Sequence, residues 1–140
     1  MKTLTTLFFA CMIISQPMPA NANEGVQQVV SLAQLNTSAA YRQQIRDKFL
    51  HKMSDRCPAT FTAQHCTCVA KLMFDELTPV QQSLIGEGFV LEQQYPGKTE
   101  LEIGKLIEQK FGPDNIQKQE IRARWQKAQM QAFNTCNLPL

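Results

Sequence analysis

Apolar residues recur every three or four positions along most of the chain, the spacing that places side chains on one face of an α-helix. The first stripe predicts a helix over residues 39–54, with Ser38 as its N-cap, and consists of Tyr41, Ile45, Phe49 and Met53. The second predicts a helix over 62–77 and consists of Cys66, Val69, Ala70, Met73 and Leu77. Residues 23–36 begin with a weak segment, Val26 to Leu32, whose period is ambiguous and which is interpreted as a short or frayed helix.

A third helix is predicted by its start signal rather than by a stripe. In the run Thr78-Pro79-Val80-Gln81, threonine is the N-cap, proline takes the first helical position and glutamine follows three residues after the cap. This helix would reach residue 93 or 94. Gly86 and Gly88 in its middle indicate either a bend or a close approach to another helix.

Two further helices complete the predicted fold. Thr99 and Glu102 form a capping box for the fourth helix, which Gly112-Pro113 ends. Asp114 is predicted to start the fifth helix, over about 115–135. Its apolar face consists of Ile121, Trp125, Ala128, Ala132 and Cys136. No segment shows strand alternation, so the sequence predicts an all-α fold, a single compact domain of about five helices.

The N-terminal residues, 1–22, have the three parts of a secretory signal peptide. Lys2 supplies a positive charge, an apolar run extends from Leu4 to Ile14, and Ala20-Asn21-Ala22 has the form a signal peptidase cleaves. We therefore expect cleavage near Ala22, a mature helical domain over 23–140, and a periplasmic or secreted location.

Cys11 allows an alternative interpretation of the same segment, because Ala10 before it would suit a lipoprotein signal. The apolar run before Cys11 is short for such a signal, and Phe8 stands where a branched aliphatic residue is preferred. We favour the interpretation in which Cys11 is discarded with the signal peptide, and lipidation remains the alternative.

Composition and charge exclude some classes of partner. The chain has 14 Lys and Arg against 12 Asp and Glu, and loss of Lys2 leaves a balance of +1. This charge is too small for a nucleic-acid-binding footprint. No apolar run after the signal peptide is long enough to span a bilayer. Paired glutamines, such as Gln81-Gln82, are interpreted as neutral, solvated helix faces.

Four cysteines downstream of an export signal predict two disulfides, because exported proteins fold in an oxidising compartment. These are Cys57, Cys66, Cys68 and Cys136. On a helix, Cys68 points about 200° away from Cys66, so these two are not expected to pair with each other. Two schemes stay open: Cys57–Cys66 with Cys68–Cys136, or Cys57–Cys68 with Cys66–Cys136.

The motif His65-Cys66-Thr67-Cys68 also permits a metal interpretation. Thiolates suit Cu(I), and cysteine with histidine suits Zn(II). The chain lacks a second close Cys/His pair, and a helix would point the two sulfur atoms apart. A metal site or a thiol-redox centre at His65, Cys66 and Cys68 is thus the alternative to disulfides, and our main prediction has no metal and no cofactor.

No catalytic signature is present in the sequence. The chain lacks a Gly-x-Ser-x-Gly elbow, a His-Glu-x-x-His motif, a glycine-rich phosphate loop and a Cys-x-x-Cys redox motif. We therefore predict a protein that is not an enzyme. The main hypothesis is an exported helical protein that acts by protein–protein interaction, such as an immunity or inhibitor protein or an accessory factor of an envelope or secretion system. Its partner and oligomeric state are open. A carrier of a small apolar ligand is a further alternative.

Overall fold

The computed structural model describes residues 28–139, and these residues form an all-helical domain with five α-helices, as predicted. The helices are α1 (Ala39–Asp55), α2 (Ala63–Asp75), α3 (Pro79–Gln94), α4 (Glu100–Phe111) and α5 (Lys118–Thr135). The predicted signal peptide and Cys11 lie outside the described residues.

Hydroxyl side chains begin each of the first four helices. The N-caps are Ser38, Thr62, Thr78 and Thr99, and each accepts a hydrogen bond from the backbone N–H three residues later. In α2, α3 and α4 the capping box is complete, because the side chains of His65, Gln81 and Glu102 accept a hydrogen bond from the backbone N–H of the cap residue. The predicted caps at Ser38, Thr78 and Thr99 are confirmed, because a cap needs only residues within one turn. The second helix is slightly shorter than the predicted range 62–77, since it begins at Ala63 and ends at Asp75.

The predicted start of the last helix at Asp114 was wrong, since α5 begins at Lys118. Its N-cap, Gln117, has φ 51° and ψ 39° and makes no side-chain capping bond. The amide of Asn115 donates to the carbonyl of Phe111 at 2.7 Å and holds residues 112–116 in a turn against the end of α4. Because Asn115 bonds to the end of α4, the turn continues past Asp114 and α5 begins four residues later, at Lys118.

The helices pack as a row in the order α5, α2, α1, α3, α4. Two buried clusters form the core. The first joins α1, α2 and α5 and contains Ile45, Phe49, Ala70, Met73, Phe74 and Ala128. The second joins α3, α4 and the turn after α4, and contains Leu84, Phe111 and Ile116. Between these clusters the two end helices of the row, α4 and α5, are left facing each other.

The segment before α1 packs on the second cluster. In the described part of this region, residues 28–36, the chain forms a 3₁₀ turn at Leu32–Gln34, so the short helix predicted from Val26 to Leu32 is not seen over 28–31. The N–H of Val30 donates to the carbonyl of Lys110 at 2.7 Å, and Val30, Leu32 and Leu35 cover the cluster. This contact extends the core beyond the five helices.

Gln81 and Gln82 are buried, which corrects the prediction that they form a solvated helix face. The amide of Gln82 donates to the carbonyl of Phe74 at 3.0 Å and accepts from the guanidinium of Arg42 at 3.1 Å. Gln81 completes the cap at Thr78 and donates to the side chain of Gln117 at 3.1 Å. Buried amides are tolerated here because each polar end has a partner.

Candidate functional site

The disulfides connect Cys57 with Cys66 and Cys68 with Cys136. Of the two schemes left open by the sequence, the structure therefore has the first. The Cα atoms are 5.8 Å apart in each pair. The two cysteines of α2 point to different sides, as predicted: Cys66 faces the loop that follows α1, and Cys68 faces the end of α5.

The potential metal ligands of the motif at residues 65–68 are all engaged in local bonds. Both of its sulfur atoms are in disulfides, and Nδ1 of His65 accepts a hydrogen bond from the backbone N–H of Thr62 at 3.2 Å. Within residues 28–139, no three His, Cys, Asp or Glu side chains are grouped so that they could hold a metal ion. The metal alternative would require reduction of both disulfides.

A large apolar cleft lies between the two core clusters and has a volume of about 590 Å³. Its floor combines Phe49 and Met73 from the first cluster with Leu84 from the second, together with Ile85 and Phe89 of α3. The volume is within the range of small-molecule sites in proteins. The cleft is therefore the main candidate site in the described part of the chain.

The walls of the cleft are α4 and α5. Ile103, Gly104 and Ile107 line it from α4, and Ile121 and Trp125 line it from α5. A β-carbon built on Gly104 would meet no atom within 4 Å. The glycine therefore leaves open space in the wall and is not needed for helix packing.

Trp125, which the sequence places on the apolar face of the fifth helix, is half-buried: it packs against the first core cluster and also lines the cleft. Its ring stacks on that of Phe49, with centroids 6.4 Å apart and planes at 25°. The indole N–H is covered by neighbouring atoms and donates to none of the described residues. Because that N–H is covered, Trp125 contributes the apolar part of its ring to the cleft wall.

Ion pairs lie at the edge of the cleft. Lys52 pairs with Glu92 and with Glu100, the latter at 3.3 Å, and Arg56 pairs with Glu100. Partial burial by itself would raise the pKa of Glu100, but the hydrogen bonds from Arg56 and Lys52 outweigh it and lower that pKa. These pairs connect the end of α1 to α3 and α4 across one end of the cleft. At the other end Lys118 pairs with Glu108 at 2.7 Å.

A second, smaller hollow of about 290 Å³ lies beside the Cys57–Cys66 disulfide. Phe61, His65, Phe133 and Leu138 line it among others. Phe133 is 54% exposed, and Met130, one turn before it on α5, is 73% exposed. The exposed surface of Phe133 and Met130 beside this hollow is called the α5 patch below.

Comparisons of the chain with models of protein families, with curated proteins and with solved structures found no match. Among residues 28–139, no helix has both the length and the apolar content needed to cross a bilayer. The cleft and the α5 patch are therefore the features of the described residues that bear on function.

The cleft was not predicted from the sequence, because its lining comes from all five helices. Two of the lining residues, Gly104 and Arg122, were not among the predicted site residues. One signal was available for Gly104: a glycine in the middle of a helix lowers stability relative to alanine, so it needs a packing or functional reason. Arg122 carries no comparable signal, since an arginine on an exposed helix is ordinary.

Proposed function

We propose that this protein is an exported, non-enzymatic carrier that binds a small apolar molecule in the cleft between α4 and α5. The observation that supports this function is the cleft itself, about 590 Å³ in volume and lined mainly by aliphatic and aromatic side chains. The two disulfides are compatible with a periplasmic or secreted protein. Small-ligand sites are typically concave and apolar, with few polar groups at their edges.

Rigid walls support a binding role for the cleft. The Cys68–Cys136 disulfide ties the end of α5 to α2, and the ion pairs of Lys52 tie α1 to α3 and α4. Both walls are thereby connected to the rest of the domain. A cleft held open before the ligand arrives avoids part of the ordering cost of binding.

Binding of an uncharged apolar dye, N-phenylnaphthylamine, tests this function. Trp125 is the only tryptophan of the chain and lines the cleft, so energy transfer from its fluorescence to the dye reports a dye bound nearby. We expect saturable energy transfer with the folded, disulfide-bonded protein. No transfer, or transfer that does not saturate, would overturn the proposal.

Two substitutions of one residue locate the dye. Gly104→Phe places a ring in the open space of the α4 wall and should weaken binding by at least about tenfold, which is 1.4 kcal/mol. Gly104→Ala is the matched control: it should keep the dye affinity and raise the free energy of unfolding by up to about 1 kcal/mol. If Gly104→Phe folds and binds the dye as the wild type does, the dye is not in the cleft.

The α5 patch favours a second candidate function, binding of a protein partner, which was the main hypothesis from the sequence. Exposed large apolar residues beside a hollow are typical of interaction sites. An immunity or inhibitor protein, or an accessory factor of an envelope or secretion system, would use such a surface. The exposed patch is small, so the cleft remains the better supported site.

Gel filtration of the protein mixed with envelope fractions tests this second function, because a bound partner would make the protein elute as a larger complex. A partner bound through the patch should form a complex with the wild type that Phe133→Ser does not form. Leu101→Ser is the control, because Leu101 is also an exposed apolar residue, 68% exposed, and lies on α4. Equal loss in both variants, or no complex with the wild type, would count against the patch.

A further inference from the structure

The charges that line the cleft are unequal in number. Four cations line it, Lys52, Arg56, Lys118 and Arg122, against three carboxylates, Glu92, Glu100 and Glu108. Each of the three carboxylates pairs with a lysine or arginine of this set. One positive charge is therefore left over at the edge of the cleft.

This charge belongs to Arg122. Among residues 28–139 its guanidinium makes no ion pair with a carboxylate and no hydrogen bond, whereas Lys52, Arg56 and Lys118 each pair with at least one glutamate. An arginine side chain stays protonated at any physiological pH. Arg122 thus presents a permanent, uncompensated cation at the cleft.

The position of Arg122 on α5 relates that cation to the apolar lining. Ile121 precedes it, and Trp125 follows three residues later, close to one helical turn, so all three lie near one another on the cleft side of α5. A ligand group held by Arg122 would therefore have an apolar surface directly beside it. The lining continues from Trp125 to Phe49, on which its ring stacks.

We propose that the ligand of the cleft is an amphipathic monoanion, an apolar molecule that carries one carboxylate, and that Arg122 binds the carboxylate. This inference rests on the proposed function. A guanidinium matches a carboxylate with two parallel hydrogen bonds, which gives both affinity and orientation. The apolar part of the ligand would lie over Ile121 and Trp125 toward the floor of the cleft. The other cations are already neutralised and attract an anion less.

Displacement of bound N-phenylnaphthylamine by two compounds of equal chain length tests the inference. Dodecanoate carries the carboxylate, and dodecanol is its uncharged counterpart. With the wild type we expect dodecanoate to displace the dye at lower concentration than dodecanol does. With Arg122→Gln the dodecanoate affinity should fall by about tenfold, and the dodecanol affinity should stay unchanged.

Two further variants separate a carboxylate site from a general effect of charge. Lys71→Gln removes the same charge from an exposed residue of α2 that does not line the cleft, and should leave both affinities unchanged. Arg122→Lys keeps the charge without the planar fork and should give an intermediate dodecanoate affinity. Equal losses in Lys71→Gln and Arg122→Gln would overturn a specific role for Arg122.

The outcomes also separate this inference from the proposed function. If the dye does not bind to the wild type, the carrier function fails and the carboxylate site with it. If the dye and dodecanol bind but dodecanoate binds no better to the wild type than to Arg122→Gln, only the assignment of Arg122 is wrong. Circular dichroism and thermal unfolding confirm that each variant is folded. Arg122 is exposed and unpaired in the described structure, so its substitution should leave the fold intact.

Discussion

Gly86 of α3 lies so close to Ile45 of α1 that a β-carbon at residue 86 would stand 2.8 Å from Cδ1 of Ile45. The same β-carbon would lie 2.6 Å from the hydroxyl oxygen of Tyr41. Of the two roles that the sequence allowed for this glycine, a bend or a close approach between helices, the structure has the second. The packing of α1 on α3 depends on the missing side chain.

Gly86→Ala should therefore destabilise the protein. The gain in helix propensity, about 1 kcal/mol, is outweighed by overpacking, which typically costs about 1–3 kcal/mol. At Gly88 a β-carbon would make an ordinary contact, 3.6 Å from Ile107. Gly88→Ala should thus be neutral or stabilising by up to about 1 kcal/mol. Urea unfolding measures the free energy of unfolding of both variants. A similar decrease in both would contradict the prediction.

Removal of the two disulfides should have unequal effects. The Cys68–Cys136 bond joins residues 68 positions apart, and the Cys57–Cys66 bond joins residues 9 apart. On a chain-entropy model the longer loop contributes about 4 kcal/mol and the shorter about 3 kcal/mol. The double variant Cys68→Ala/Cys136→Ala should therefore unfold at a lower guanidinium chloride concentration than the double variant Cys57→Ala/Cys66→Ala. The reverse order would show that loop length does not control their contributions.

Gln82→Ala should destabilise the domain by about 1–3 kcal/mol, because the carbonyl of Phe74 would lose its buried donor. Gln93 provides the matched control at an exposed position of the same helix. Gln93→Ala should change the free energy of unfolding by less than about 0.5 kcal/mol. Chemical unfolding of the two variants measures the difference. Similar values for both would mean that the buried hydrogen bond contributes nothing net.

The ion pairs of Glu100 should make part of the stability depend on pH. Its pKa is lowered in the folded protein, so the stabilisation is complete above the ordinary carboxyl pKa and is lost as pH falls through the lower folded value. Glu100 is largely exposed, which limits the contribution to below about 1 kcal/mol. The wild type should unfold at higher temperature than Glu100→Gln at neutral pH, and this gap should close in acid. A gap that stays constant with pH would contradict the assignment.

Much of the fold was determined by the sequence through local signals. The predicted caps at Ser38, Thr78 and Thr99 are the N-caps in the structure, because a cap acts over three residues. The prediction that Cys66 and Cys68 face different sides also needed only helical geometry. The number of helices and the all-α class follow from the same short-range rules.

The tertiary structure decided the properties that depend on residues distant in the chain. Which cysteines pair with Cys57 and Cys136 is decided by the packing of α2 against α1 and against α5. The burial of Gln82 required a donor from Arg42, 40 positions away. The cleft required two core clusters with α4 and α5 facing each other between them, an arrangement that no single stripe encodes. Helix formation is local, whereas pairing, burial and open space are set by the assembly of the helices.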